Sequence, residues 1–135
     1  MRATATRLPL LYDAGALIAA EADDRLFLRL HRQALDEGRK IVVPVPVLAQ
    51  VWRGSAKQTS LARMLHGCEV VDMTEAIGRA AGALCGRNGT CDVVDATVVV
   101  MAIDAVAAVV TSDPEDITAL IDSANPPIRP AVKVV

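Results

Sequence analysis

Short apolar runs alternate with segments of helical composition along this chain, and no other feature limits its fold as much. The runs are rich in Val, Leu and Ile, as is typical of buried strands. The segments between them repeat apolar residues on a helical period, most clearly from Asp24 to Glu37. Strands that alternate with helices predict a parallel α/β sheet. We expect strands within the following segments: Leu8–Tyr12, Ile41–Val43, Glu69–Asp72, Val106–Val110 and Ile128–Val135.

The helices between these strands are predicted from composition and from terminal signals. Pro46 suits the first turn of a helix, Thr74 can cap one, and residues 87–89 are typical of a turn. We expect helices at Ala14–Glu21, Asp24–Glu37, Val47–Trp52, Ala56–Leu65, Thr74–Cys85, Asp92–Asp104 and Pro114–Ile121. A chain of 135 residues is most simply one domain, and it is long enough for a three-layer core.

Composition argues against several classes of function. A net charge of −2 does not suit a protein that holds nucleic acid by bulk electrostatics, and Tyr12, Phe27 and Trp52 are too few aromatic residues for a base-stacking platform. Any nucleic-acid substrate must therefore be held locally. No apolar run is long enough to span a membrane, and the basic start Met1–Arg7 lacks the apolar core of a signal peptide. We expect a soluble, cytoplasmic protein.

Acidic residues recur where an apolar segment ends or a helix begins. Asp13 closes the run that starts at Leu8, and Asp113 follows the run at 107–112. Ligands of an open parallel sheet bind beyond the carboxyl ends of its strands, so these acids can converge with Asp95 at the head of a helix. Converging carboxylates need a cation because like charges repel. Oxygen ligands suit Mg²⁺ and Mn²⁺, so the sequence predicts a site for a hard divalent cation.

Each acid also has a structural interpretation, since Asp is a favoured helix N-cap. Asp113, followed by Pro114, has the pattern of a well-capped helix start, and Asp13 could cap the helix after it. Asp95 is harder to explain in this way, because a carboxylate one turn inside a nearly all-apolar helix is poorly placed for solvent. Asp92 shares a helix face with Asp95, although it is the better candidate for the cap.

Few other residues give a functional signal. His31 and His66 lack a nearby nucleophile or ligand pattern, so we expect ordinary surface or helix-end histidines. The three cysteines, without CxxC spacing, favour small buried side chains over a disulfide framework or a zinc site. Arg53 follows Trp52 near the expected mouth of the site, where it is either a solvated residue or a phosphate contact. Glycines at every fourth position from Gly78 predict close helix packing or a dimer contact.

Three segments together resemble the PIN-domain nucleases, and most closely their VapC-type toxins of prokaryotic toxin–antitoxin pairs. These segments are Leu11–Ile18, Asp92–Ala96 and Val110–Ile117, and they occur in the family's order and spacing over nearly the whole chain. The resemblance implies a three-layer α/β/α fold with a central parallel sheet and endoribonuclease activity that depends on Mg²⁺ or Mn²⁺. It also implies a cognate VapB-type antitoxin that binds DNA as a repressor, and a homodimer or a toxin–antitoxin hetero-oligomer.

By position, Asp13, Asp95 and Asp113 match the family's metal-site acids. Asp116 matches its less constant fourth acid, and Asp92 an additional acid of some branches. The chain departs from the family at Gln50, because a glutamate is usual on the helix after the second strand. An amide oxygen can still face a metal or its water, but it brings no charge.

On this basis we expect hydrolysis of an RNA phosphodiester by a metal-activated water. Asp13 and Asp95 are the expected direct ligands, Asp113 is a direct or water-mediated one, and the remaining acids are auxiliary. Thr111 and Ser112 could orient the water or a phosphate oxygen.

Two other functions remain open. A receiver-type phosphoacceptor domain also gathers acids around Mg²⁺, but it requires adjacent acids after its first strand, where this chain has only Asp13. A PIN scaffold that binds a partner without catalysis is favoured by Gln50. For the nuclease, the apolar surface from Leu26 to Leu35 and near Val47–Trp52 is where we expect an antitoxin helix to bind.

Overall fold

A computed structural model describes residues 7–135, and most of the basic start Met1–Arg7 lies outside the described residues. The strands are β1 Leu10–Tyr12, β2 Ile41–Pro44, β3 Glu69–Val71, β4 Ala108–Thr111 and β5 Val132–Val134. They form one sheet in the order β3-β2-β1-β4-β5, in which each neighbouring pair is parallel. The predicted parallel α/β sheet is confirmed.

Helices cover both faces of this sheet. They are α1 Ala14–Glu21, α2 Arg25–Asp36, α3 Val45–Val51, α4 Thr59–Leu65, α5 Glu75–Asn88, α6 Val93–Ala105 and α7 Pro114–Ala124, with a 3₁₀ turn at Ala56–Gln58 before α4. α1 packs against α2, α3 and α4, whereas α5, α6 and α7 pack against one another. The connections from β1 to β3 cross the sheet in one direction and those from β3 to β5 in the other. Right-handed crossovers in opposite directions place their helices on opposite faces, so the fold has three layers, α/β/α.

Most element boundaries differ from the predicted ones by a few residues, and two of the differences have clear causes. β4 begins at Ala108 rather than at Val106, because Val106 has a φ of 53° and ends α6 in the left-handed conformation. α5 continues to Asn88, where Gly89, with a φ of 77°, ends it. The predicted turn at 87–89 is therefore the end of a helix.

The core lies around the central strands and α6. β1, β2 and β4 are buried along their whole length, whereas β3 at the edge of the sheet is largely exposed. α6 is buried, as predicted, from Ala96 to Val99 and again at Met101 and Ala102. Because such a helix cannot shift without disturbing a close-packed core, it holds Asp95 on its first turn in place. No helix in the described part of the chain is long and apolar enough to cross a membrane.

His31 lies in the core, so the expectation of a surface or helix-end histidine is wrong. Its side chain is 6% exposed, its Nδ1 is 2.7 Å from the Tyr12 hydroxyl, and its ring stacks on Phe27. The buried face of α2 passes through Phe27, His31 and Ala34, which leaves Leu26 exposed. Burial raises the pKa of Tyr12 and lowers the pKa of His31, so both are neutral near pH 7.

The glycine stripe of α5 does not serve close packing within the chain. A Cβ added at Gly82 or at Gly86 would have no atom within 4 Å, and one at Gly78 would approach only the end of the Met73 side chain. The predicted packing of a neighbouring helix on this stripe is therefore wrong within residues 7–135, and the dimer contact stays a prediction.

Candidate metal centre

The predicted acids gather at the carboxyl edge of the sheet. β1 and β4 are adjacent and parallel, with Tyr12 opposite Val110, so Asp13 and Asp113 leave the sheet at the same edge. The Asp13 amide donates to the Val110 carbonyl at 3.0 Å, which continues the pairing past the end of β1. Asp95, on the first turn of α6, lies close enough to both acids for their charges to raise its pKa.

Asp13 forms the buried floor of the site. Its side chain is 4% exposed, its Oδ1 accepts a hydrogen bond from the Ala14 amide at 2.7 Å, and its Oδ2 accepts one from the Thr111 hydroxyl at 2.8 Å. The first bond is the predicted helix cap. The second crosses to β4 and serves no helix. Burial raises the pKa of Asp13, and the two hydrogen bonds oppose that rise.

The Thr111 hydroxyl connects the two acids that follow the strands. It is fully buried, donates to Asp13, and accepts a hydrogen bond from the Asp113 amide at 2.9 Å. One side chain therefore fixes both the carboxylate of Asp13 and the backbone at Asp113. Because its hydrogen is given to Asp13, Thr111 orients the acids in this structure.

Asp95, Asp113 and Asp116 come together on the open side of the site. Each offers a carboxylate oxygen, and these three oxygens lie within 4.8 Å of one another. Opposite ligands of one Mg²⁺ stand about 4.2 Å apart, so the group needs only a small movement to surround an ion. Asp113 occupies the N-cap position of α7, as the helix-cap interpretation predicts, but its side chain makes no capping hydrogen bond. Its carboxylate instead lies beside those of Asp95 and Asp116.

Asp92 is the N-cap of α6, as predicted. Its Oδ1 accepts a hydrogen bond from the Asp95 amide at 3.0 Å, and its charge helps to raise the pKa of Asp95 and of Asp13. A cleft of about 130 Å³, lined in part by Asp92, Asp95 and Asp116, opens at this point. Asp92 therefore both caps α6 and lines the candidate cation site.

Within the described residues, no basic side chain pairs with the five acids, so their mutual repulsion is not offset. Burial, followed by the charges of Asp13 and Asp92, raises the pKa of Asp95 to about 7. The neighbouring Asp113 carboxylate raises the pKa of Asp116. A divalent cation would reverse these shifts, and a donor set made only of oxygen atoms fits Mg²⁺ or Mn²⁺.

Of the other residues predicted near the site, Thr111 is buried, whereas Ser112, Gln50 and Arg53 lie at the surface. Ser112 is exposed on the turn after β4, beside the acids. Gln50 is exposed on α3, the helix that follows β2. The guanidinium of Arg53 donates to two carbonyls at the C-terminal end of α3, at 2.8 and 3.3 Å, so this cation is held against the helix end.

Sequence patterns did not single out two residues that shape the site and its surroundings. A Cβ at Gly15 would lie 2.2 Å from the Oγ of Ser112, and the only sequence signal for this contact is a glycine early in a helix. Gln58 is buried, donates to the Glu21 carboxylate at 2.9 Å and accepts a hydrogen bond from the Arg53 amide at 2.8 Å. It ties the loop after α3 to the end of α1.

Comparison with known proteins agrees with this fold. The model of the PIN domain family matches residues 10–119, a span that contains all five acids. The fold is similar to that of VapBC2 from Rickettsia felis bound to a DNA fragment from its promoter, with a TM-score of 0.72 and 14% identity over 95% of this chain and 99% of that chain. No curated protein matches the chain. The fold expected from the resemblance is confirmed, the receiver-type alternative is set aside, and the chain belongs to the PIN domain family.

Proposed function

We propose that this chain is a Mg²⁺- or Mn²⁺-dependent endoribonuclease that acts as the toxin of a type II toxin–antitoxin pair. The observation that carries the proposal is a group of acids at the carboxyl edge of a PIN-domain sheet. Carboxylate oxygens of Asp95, Asp113 and Asp116 lie within 4.8 Å of one another, and burial, followed by the charges of Asp13 and Asp92, raises the pKa of Asp95. Repulsion among acids in this arrangement lowers the stability of the folded protein unless a cation binds between them. The likeness to VapBC2 supports the toxin–antitoxin assignment.

The five acids divide between direct ligands and auxiliary groups. Asp13, Asp95 and Asp113 are the proposed direct or water-mediated ligands, and Asp92 and Asp116 complete the negative field around them. When bound, the cation would supply a Lewis acid that lowers the pKa of a water and neutralises charge on the phosphate.

The chain's own contribution to hydrolysis is positioning. Thr111 holds the carboxylate of Asp13 from below, and Asp92 holds the backbone of Asp95 through the helix cap. Burial of Asp13 and of the α6 core keeps water away from the floor of the site. Ser112 and Arg53 are the proposed contacts for phosphate oxygens of the RNA, which must be held locally because the chain carries a net charge of −2.

A cognate VapB-type antitoxin would cover the α2 side of the molecule, in a hetero-oligomer or on a toxin homodimer. Leu26 is 76% exposed on α2, and Leu35 and Trp52 are also exposed. A cavity of about 550 Å³, lined in part by Leu28 and Met64, opens between α2 and α4. Apolar side chains beside such a cavity suit the apolar face of an amphipathic helix.

A PIN scaffold that binds a partner without catalysis is the second candidate, and Gln50 is the observation that favours it. An amide on α3 in place of the family's usual glutamate removes one charge from the acid site. The five acids that remain, and the raised pKa of Asp95 among them, favour the nuclease.

Cleavage of a mixed-sequence RNA by the purified protein, with Mg²⁺, Mn²⁺ or a chelator, separates these two functions. We expect ion-dependent cleavage that Asp95→Asn and Asp13→Asn each reduce at least about 100-fold. Asp104→Asn, an exposed acid at the far end of the same α6, is the matched control and should keep wild-type activity. Millimolar Mn²⁺ should also raise the melting temperature of the wild type and of Asp104→Asn, but not that of Asp95→Asn. Cleavage that persists in chelator, or a folded Asp95→Asn with full activity, would contradict the nuclease assignment.

A further inference from the structure

We propose that Gly15 is a positioning residue of the acid site. Because it has no side chain, the turn that carries Asp113 packs directly on the first helical turn of α1, beside Asp13. The contact between Gly15 and Ser112 then sets the separation of two acids that share an ion. This inference rests on the function proposed above.

The backbone conformation of Gly15 does not require glycine. Positive φ angles, which favour glycine, occur at Gly38, Gly54 and Gly89 but not at Gly15. Gly15 is the second residue of α1, a position that any good helix former can occupy. Glycine is the poorest helix former after proline. Space, rather than conformation, is therefore what a glycine provides here.

Ser112 occupies the space that a side chain at position 15 would need. A Cβ at Gly15 would lie 2.2 Å from the Oγ of Ser112, 2.6 Å from its Cβ and 2.7 Å from its backbone nitrogen. Rotation of the serine side chain would relieve only the first of these contacts. The other two atoms move only with the backbone, so a side chain at position 15 must push the whole turn away from α1.

The same turn is bound to Asp13 through Thr111. Ser112 lies between Thr111, whose hydroxyl donates to Asp13, and Asp113, whose amide donates to the Thr111 hydroxyl. Moving the Ser112 nitrogen from 2.7 Å to an ordinary contact distance of 3.4 Å requires a shift of about 0.7 Å. Functional groups must be held within roughly 0.5 Å of their productive geometry. A side chain at position 15 would therefore break this hydrogen-bond chain or displace Asp113.

The experiment compares Gly15→Ala with Gly82→Ala. Both variants add a methyl group to a helical glycine, but a Cβ at Gly82 has no atom within 4 Å, so the control should gain helix stability and keep an unchanged site. For Gly15→Ala we expect Mn²⁺ affinity, measured by titration calorimetry, to weaken roughly 10-fold. Cleavage of mixed-sequence RNA should fall by on the order of 10- to 100-fold. Equal Mn²⁺ affinity and equal cleavage in the two variants would overturn the proposal.

Hydrogen exchange at the Asp113 amide, followed by NMR without metal, tests the contact independently of catalysis. The amide is bonded to Thr111 in the wild type, so it should exchange at least about 10-fold faster in Gly15→Ala and at the wild-type rate in Gly82→Ala. If the wild type neither binds Mn²⁺ nor cleaves RNA while this exchange still rises, the proposed function fails and the positioning role stands. If the wild type cleaves RNA while the exchange does not change, the positioning role alone fails.

A second variant covers the case in which Gly15→Ala does not fold. Adding Ser112→Gly to Gly15→Ala removes the two side-chain contacts and leaves only the one with the backbone nitrogen. We expect this double variant to fold and to recover part of the Mn²⁺ affinity. A double variant that also fails to fold would overturn the role of the Ser112 contact.

Discussion

Removing the hydroxyl of Thr111 should destabilise the protein more than removing that of Thr97, although both side chains are fully buried. The change from Thr to Val keeps the shape of the side chain. In Thr111→Val, the Asp13 carboxylate loses a donor at 2.8 Å and the Asp113 amide loses an acceptor at 2.9 Å. In Thr97→Val, the lost bond is to the Val93 carbonyl at 2.7 Å, an atom that the α6 helix already pairs.

The size of the Thr111 effect comes from these two bonds. A hydrogen bond to a charged group contributes about 1.5–3 kcal/mol, and a buried amide left without a partner costs about 1–3 kcal/mol. Asp113 is exposed, so water can partly replace the lost acceptor of its amide. We expect the free energy of unfolding to fall by roughly 2–4 kcal/mol in Thr111→Val. In Thr97→Val it should fall by at most about 1 kcal/mol.

Urea denaturation in chelator, at about pH 5 and about pH 8, measures both losses. Burial raises the folded-state pKa of Asp13, and the Thr111 hydrogen bond opposes that rise. Without this bond the folded-state pKa rises further, so the variant loses additional stability as the pH increases above the ordinary carboxyl range. The deficit of Thr111→Val should therefore be larger at the higher pH. Equal losses in the two variants, or a Thr111 deficit that does not change with pH, would refute the role of the hydroxyl in holding an ionised Asp13.

Two further changes test the charge balance of the site. Asp95→Asn in chelator should raise the melting temperature. The pKa of Asp95 in the folded protein is raised to about 7, so ionisation of this acid costs stability as the pH rises from the ordinary carboxyl range to about 7. The gain in melting temperature should therefore grow up to about pH 7 and then level off, and a fluorimetric pH series without this trend would contradict the prediction. If Gln50 occupies the family's glutamate position, Gln50→Glu adds a charge at the acid site and should tighten Mn²⁺ binding in titration calorimetry while lowering the melting temperature in chelator. If neither value changes, Gln50 lies outside the site.

The order of strands and helices could be predicted because the signals for it are local. Alternation of apolar runs with helical segments decides the class of fold, and the all-apolar composition of α6 correctly indicates a central, buried helix. The ends of the elements were less predictable. Val106 is β-branched and follows an apolar helix, so nothing in its neighbourhood shows that it adopts the left-handed conformation instead of opening β4.

The acids of the site could be predicted as a set because parallel strands bring their carboxyl ends to one edge. The role of each individual acid could not be predicted from the sequence. Asp113, with Pro114 after it, has the local pattern of a helix cap, and only the structure shows that its side chain makes no capping hydrogen bond and lies beside Asp116. The bond between Thr111 and Asp13 joins residues 98 positions apart in the sequence, and no local pattern can indicate such a contact.

Tertiary packing also explains two residues, His31 and Gly15, whose roles local sequence does not indicate. His31 shares the buried face of α2 with Phe27 and Ala34, because the rotation of this helix is set by the elements that it packs against. Gly15 is likewise explained by a tertiary contact. A glycine is unfavourable in a helix, but a side chain at this position would collide with Ser112. Local rules fail at both positions because tertiary contacts override propensity, which is the expected behaviour near a functional site.

The site combines fixed acids, Asp13 and Asp95, with exposed acids, Asp113 and Asp116, and this division has an energetic consequence. Asp13 is buried and doubly hydrogen-bonded, and Asp95 is carried by a core helix, whereas Asp113 and Asp116 are exposed. The floor prevents the acids from relaxing apart, so their repulsion persists in the absence of metal. Burial raises the pKa of Asp95, and this repulsion raises it further. A cation that binds there gains the relief of that repulsion in addition to its own contacts. Loosening the floor should therefore lower the repulsion in the apo protein and weaken ion binding together.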